Sequence, residues 1–151
     1  MVRKATEADL AGIVDLTSAF YMESWKPLGL AWDRDAVLAA LAGTLENEDA
    51  VIFIGSTNGA PPDGLIVGFA GLSTFSLQER IAQERVWYVR ADFRGGPLAI
   101  RLLRAFEEWA KEKGCKLVTM AYPVSETDEV AARIYSRMGY HPVETFVAKE
   151  I

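Results

Sequence analysis

The stretch from Ala82 to Tyr122 does most to limit what this chain can become. "AQERVWYVR" (82–90) alternates in the manner of a strand, with Glu84, Val86 and Tyr88 on one face and Arg85, Trp87 and Val89 on the other. A glycine-rich turn, "DFRGGP", follows it. Leu98, Leu102, Leu103, Phe106 and Ala110 then recur at helical spacing, which predicts a helix over 97–113 that Gly114 ends. "KLVTMAY" (116–122) reads as the next strand. Strand, helix and strand in that order make a crossover rather than a hairpin. The two strands therefore lie parallel, within an α/β fold.

The flanking sequence supplies the other elements. Thr6 with Asp9 three residues on resembles a capping box, and Leu10, Ile13, Val14 and Phe20 predict a first helix over 7–20. Asp33 can cap a second helix that carries Val37, Leu38, Leu41 and Leu45 on one stripe. Between them lies "YMESWKPLGLAW", aromatic and irregular, suited to be a packed connector or a wall of a binding site. "AVIFIG" and "GLIVGFAGLS", joined by the turn-rich "STNGAPPD", predict a hairpin. A last short helix over 128–139, capped by Asp128 and stopped by Gly139, precedes a final strand or pair in "HPVETFVAKEI". With 151 residues, no repeat and no linker, residues 1–151 are expected to form a single domain.

The glycine turn is where the sequence suggests binding. A turn that delivers a strand to the start of a helix offers free N–H groups and the positive end of a dipole to an anion. Pro97 has no N–H, but at the first helical position proline costs no helical bond, and Gly95, Gly96, Leu98, Ala99 and Ile100 keep their amides. The net charge is −5, yet from Val89 to Arg104 four arginines face one carboxylate, Asp92. A solvated basic helix face is the plainer explanation of those arginines. The acidic balance argues against a general nucleic-acid binder. The apolar runs are too short to span a bilayer, no signal peptide is evident, and the single Cys115 forms no internal disulfide, so a cytoplasmic protein is expected.

Two blocks in this order resemble the GNAT N-acetyltransferase superfamily. Its phosphate turn, Arg/Gln-x-x-Gly-x-Gly/Ala after a strand with an aliphatic end, corresponds to Arg94-Gly95-Gly96-Pro97-Leu98-Ala99 after Val89, with Pro97 in place of the central glycine. Its second block, Ala-x-x-(Leu/Ile)-Tyr-x-x-x-Gly-(Phe/Tyr), is matched in full from Ala131 through Tyr135 to Gly139 and Tyr140. Asp128 stands seven residues before Tyr135, where the family often has asparagine. The resemblance implies a mixed central sheet of about six or seven strands flanked by about four helices. It implies acetyl-CoA as co-substrate, with its pyrophosphate on Arg94, Gly95, Gly96, Leu98 and Ala99. The pantetheine would lie along the backbone at Tyr88 and Val89, and Asp128 would belong to the same site. Family members often pair through sheet edges or C-terminal strands, so a homodimer is compatible with it.

The implied reaction is N-acetylation of a primary amine on a small molecule or peptide, by direct attack on the thioester. That needs a base for the amine and support for the departing thiolate. Tyr135 matches the family tyrosine and is the expected acid; the residue alone could equally anchor a core. Glu84 is the expected base, since many family members place a carboxylate on this strand. A charged edge residue paired with Arg85 is its plainer reading. Glu23 in the connector is expected to meet a cationic acceptor. One histidine and one cysteine give no basis for a nucleophilic triad or a metal site. His141 is expected to be a surface or packing residue, and neither Gly-x-x-x-x-Gly-Lys nor Gly-x-Gly-x-x-Gly occurs. A non-catalytic acyl-CoA-binding sensor is the alternative, and turnover against a panel of amines separates the two.

Overall fold

Thr6 and Asp9 open the helical front as their spacing predicts. In the computed structural model, which describes residues 1–59, 61–122 and 128–149, the Asp9 carboxylate accepts from the Thr6 amide and hydroxyl at 2.9 Å each. It also accepts from both terminal nitrogens of Arg3 at 2.7 Å. Arg3 lies on a short strand, β1 (Val2–Lys4), which sequence patterning alone did not disclose. A 3-10 turn then leads into α1 (Leu10–Ser24). Asp33 caps α2 (Arg34–Glu46), taking hydrogen bonds from the amides of Asp35 and Ala36 at 3.0 Å.

The apolar run of β2 (Ala50–Gly55) is buried on both sides because helices cover both faces of the sheet. Ile52 and Ile54 join Ile13, Val14, Leu16 and Leu41 in one core, while Val51 and Phe53 join Leu102, Leu103, Phe106 and Trp109 in the other. The antiparallel hairpin partner is β3 (Gly64–Ser73), followed by β4 (Ser76–Val89), longer than the predicted 82–90. Next come α3 (Leu98–Glu112), β5 (Cys115–Thr119) and α4 (Asp128–Arg137). The strand order is β1-β2-β3-β4-β5, and β4 pairs with β5 in parallel, as the crossover requires. Thus α1 and α2 cover one face, and α3 and α4 the other.

Two expectations are corrected. Among the described residues the mixed sheet has five strands rather than six or seven. Residues 141–149 form no strand: apolar alternation makes a strand only against a neighbouring one, and Val143, Phe146 and Val147 are instead exposed. The remainder of that stretch lies outside the described residues. The second correction is at Arg85. Val67 pairs with Val86 but Gly68 pairs with Glu84, so Arg85 is an extra residue, a β-bulge. Arg85 and Val86 both lie on the face of Phe69, the guanidinium of Arg85 5.9 Å from that ring. Glu84 therefore shares a face with Ala82, Trp87 and Val89, not with Val86 and Tyr88.

Candidate functional site

Main-chain pairing between β4 and β5 stops at Gln83–Thr119. The next link across the seam comes from a side chain: Glu84 Oε2 accepts the Ala121 amide at 3.0 Å. From α4, the Tyr135 hydroxyl donates to the carbonyl of the same Ala121 at 3.2 Å. The two residues expected to act as base and acid thus meet at one backbone position. The bulge is what turns Glu84 toward it.

Their surroundings tune both groups. Burial pushes the Glu84 carboxyl up to about 7, against the opposing pull of the Ala121 amide and of Arg85. A carboxylate at that value is half charged near neutrality, as suits a general base. Tyr135 is almost fully buried. Trp87 and Tyr122 lie 5.5 Å from its ring and Tyr140 5.3 Å. Burial, then the charge of Glu84, then the neighbouring phenols drive its ionisation far above the usual tyrosine range. Such a phenol keeps its proton and acts as a hydrogen-bond donor. Among the described residues the indole N–H of Trp87 is buried with no partner.

The glycine turn begins where β4 ends. Gly95 has φ 84°, a left-handed conformation that glycine adopts without strain, and a side chain added there would meet nothing within 4 Å. Pro97 takes near-helical angles (φ −76°, ψ −5°) immediately before α3, and its carbonyl accepts the first helical bond, from Arg101 at 3.0 Å. Proline is accommodated here at no cost to the helix. Among the described residues, the amides of Gly95, Gly96, Leu98, Ala99 and Ile100 donate to no protein acceptor. These are the orphan donors of a helix start. A hollow of about 340 Å³ adjoins Gly96 and Leu98, and its lining includes Ser56, Asp92, Arg94, Pro97 and Arg101. Free amides, open space at Gly95 and the Arg101 guanidinium fit a diphosphate, although the Asp92 carboxylate also borders the hollow. The side chain of Asp128 lies outside the described residues.

Arg94 itself turns away from this turn. Its Nε donates to the carbonyl of Val89 at 2.8 Å, and a terminal nitrogen donates to Glu23 Oε2 at 2.6 Å. Its guanidinium carbon lies 5.2 Å from the Tyr88 ring centroid. Glu23 Oε1 in turn accepts the Tyr88 hydroxyl at 2.6 Å. Burial pushes the Glu23 carboxyl upward, but Tyr88 and Arg94 together outweigh it and hold the group below its ordinary value. The same arrangement, led by burial, pushes Tyr88 up to about 12.

The structure therefore gathers the candidates into two groups. Glu84 and Tyr135 stand on the α3/α4 face of β4, whereas Glu23, Tyr88 and the Arg94 side chain stand at its α1/α2 face, near the strand's end. Sequence reasoning missed Ala121, whose contribution is its main chain, and the role of the Tyr88 hydroxyl. It also missed the pairing of Glu23 with Arg94. The crowd of arginines after Val89 was the one available signal that a distant carboxylate would be drawn there.

Comparison with known proteins agrees with this architecture. Residues 13–140 match the Acetyltransferase (GNAT) family. No curated protein matches the chain by sequence. Among solved structures, AAC(6')-Iy in complex with the bisubstrate analog CoA-S-monomethyl-acetylneamine is 17% identical, with a TM-score of 0.77 over 100% of this chain and 97% of that one. A transcriptional regulator from Bacillus halodurans C-125 is 17% identical, with a TM-score of 0.80 over 100% and 99%. Aminoglycoside 6'-N-acetyltransferase AAC(6')-IG from Acinetobacter haemolyticus is 16% identical, with a TM-score of 0.75 over 100% and 99%. At these identities the likeness is one of fold. With two ordered motifs, the α/β architecture and a family match over most of its length, this chain belongs to the GNAT acetyltransferase family.

Proposed function

We propose that the protein transfers an acetyl group from acetyl-CoA to a primary amine of a small molecule or peptide, by direct attack. The observation that carries this reading is the meeting of Glu84 and Tyr135 on Ala121, where β4 and β5 cease to pair. The coenzyme supplies the acyl thioester. The amides of Gly95, Gly96, Leu98 and Ala99 would hold its diphosphate together with Arg94, and the backbone at Tyr88 and Val89 would lie along its pantetheine, with Asp128 contributing to the same site. Glu84, poised near neutrality, takes the proton that the amine must lose. As the C–N bond forms and the C–S bond breaks, the Tyr135 hydroxyl acts as the acid toward the departing sulfur. The proton shed by the acylated nitrogen restores that hydroxyl, so that the coenzyme leaves as free thiol. Glu23 attracts the positive charge of the acceptor.

Release of free thiol from acetyl-CoA, followed with a panel of polyamines, aminoglycosides and lysine peptides, tests the proposal. Aminoglycosides belong in that panel because two of the similar folds are named for acetylating them. Saturable release that depends on an amine is the expected result. Coenzyme binding with no turnover on any amine would identify an acyl-CoA sensor instead.

A further inference from the structure

Arg94 is spoken for twice in the free protein. Its Nε occupies the Val89 carbonyl, and a terminal nitrogen is paired with Glu23, 71 positions away in the chain. Yet Arg94 begins the turn whose amides stand open, and the Val89 carbonyl is one that the pantetheine arm is expected to use. Two anions compete for one guanidinium: the internal carboxylate and an incoming diphosphate. The pair is easily parted, since both side chains are over 40% exposed (41% for Arg94 and 45% for Glu23) and exposed ion pairs are weak. A diphosphate offers the same fork more negative charge.

From this geometry we propose that Glu23 is a built-in competitor that coenzyme binding displaces from Arg94. The inference rests on the acetyl-CoA reading above and adds to it an order of events. When Arg94 swings to the diphosphate, the Val89 carbonyl and Glu23 Oε2 are both vacated. Tyr88 keeps its bond to Oε1, so the carboxylate stays in place while losing its internal cation. Its charge is then free for a cationic acceptor. The coenzyme thereby readies the acceptor side, and an ammonium group meets an uncompensated carboxylate only after the coenzyme is seated.

A double-mutant cycle read by calorimetry tests this, with coenzyme A titrated into the full chain and into Glu23→Gln, Arg94→Ala and the double variant. Glutamine at position 23 keeps the shape but not the charge. Coenzyme A is expected to bind Glu23→Gln about threefold tighter than the unaltered protein, the size of a weak ion pair released. That gain should vanish in the Arg94→Ala background. If the unaltered protein binds coenzyme A and Glu23→Gln binds it equally or more weakly, the displacement is wrong while the acetyltransferase reading stands. A gain that persists without Arg94 overturns it too. Failure of all four proteins to bind coenzyme A overturns both readings. Circular dichroism of each variant confirms that folded protein is being compared.

Discussion

The ring of Phe106 fills the space that a side chain on Gly68 would need. A Cβ at Gly68 would collide with Cε2 and Cζ of Phe106 and stand 2.9 Å from the Gln83 carbonyl. Phe106 is fully buried at the centre of the α3 core, and Gly68 opposes Glu84 at the bulge. Helix, sheet and bulge are thus locked in one place. Gly68→Ala is expected to destabilise the fold by about 1–3 kcal/mol through overpacking. Urea denaturation followed by tryptophan fluorescence measures it, and an unchanged midpoint would show that the ring moves aside freely.

Glu84→Gln should abolish the rising limb of the pH–rate profile. In the unaltered enzyme that limb is expected near pH 7, the value to which burial pushes this carboxyl. At pH 7.5 the variant should lose about 100-fold in kcat/KM. A stability effect accompanies it. The folded protein holds the Glu84 proton more tightly than the unfolded chain, so this group makes stability fall as pH rises from about 4.5, the ordinary carboxyl value, through about 7. Glu84→Gln should flatten that part of the curve. Thermal unfolding between pH 4 and pH 8 reads the difference.

Tyr135→Phe removes one hydroxyl and keeps the ring among Trp87, Tyr122 and Tyr140. Turnover is expected to fall about 10- to 100-fold with little change in coenzyme affinity. The lost bond to Ala121 should cost about 1 kcal/mol of stability, so the variant stays folded. Unchanged turnover would take the hydroxyl out of the chemistry.

Asp33→Ala leaves the amides of Asp35 and Ala36 without their acceptor at the start of α2. A loss of about 1 kcal/mol is expected, visible as a lower melting temperature. Asp33→Asn should recover most of it, because an amide oxygen caps nearly as well.

What could be read from the sequence was local. The caps at Asp9 and Asp33, the hairpin of β2 and β3, and the stripe of α3 each follow from residues within one element of each other. The parallel seam was legible as well, because crossover length and handedness leave little choice. Glu84 was named but assigned to the wrong face, since a bulge arises from the count of residues on the opposing strand. Arg94 was assigned to the turn it begins, whereas in the structure its side chain reaches a partner in α1. Residues 141–149 carry a strand's pattern without a strand's neighbour. Three-residue β1 was too short to show any period.

The supernumerary Arg85 has a consequence that reaches the whole molecule. A regular ribbon would show its carboxylate and its phenol, Glu84 and Tyr88, to the same helical layer, and one chamber would receive both. One inserted amino acid instead lets a single strand serve two rooms, the Glu84 carboxylate opening on one side and the Tyr88 phenol on the other. Excising that amino acid should leave Glu84 and Tyr88 three positions apart on a regular ribbon, still in separate rooms; only straightening the strand with Arg85 retained would merge them.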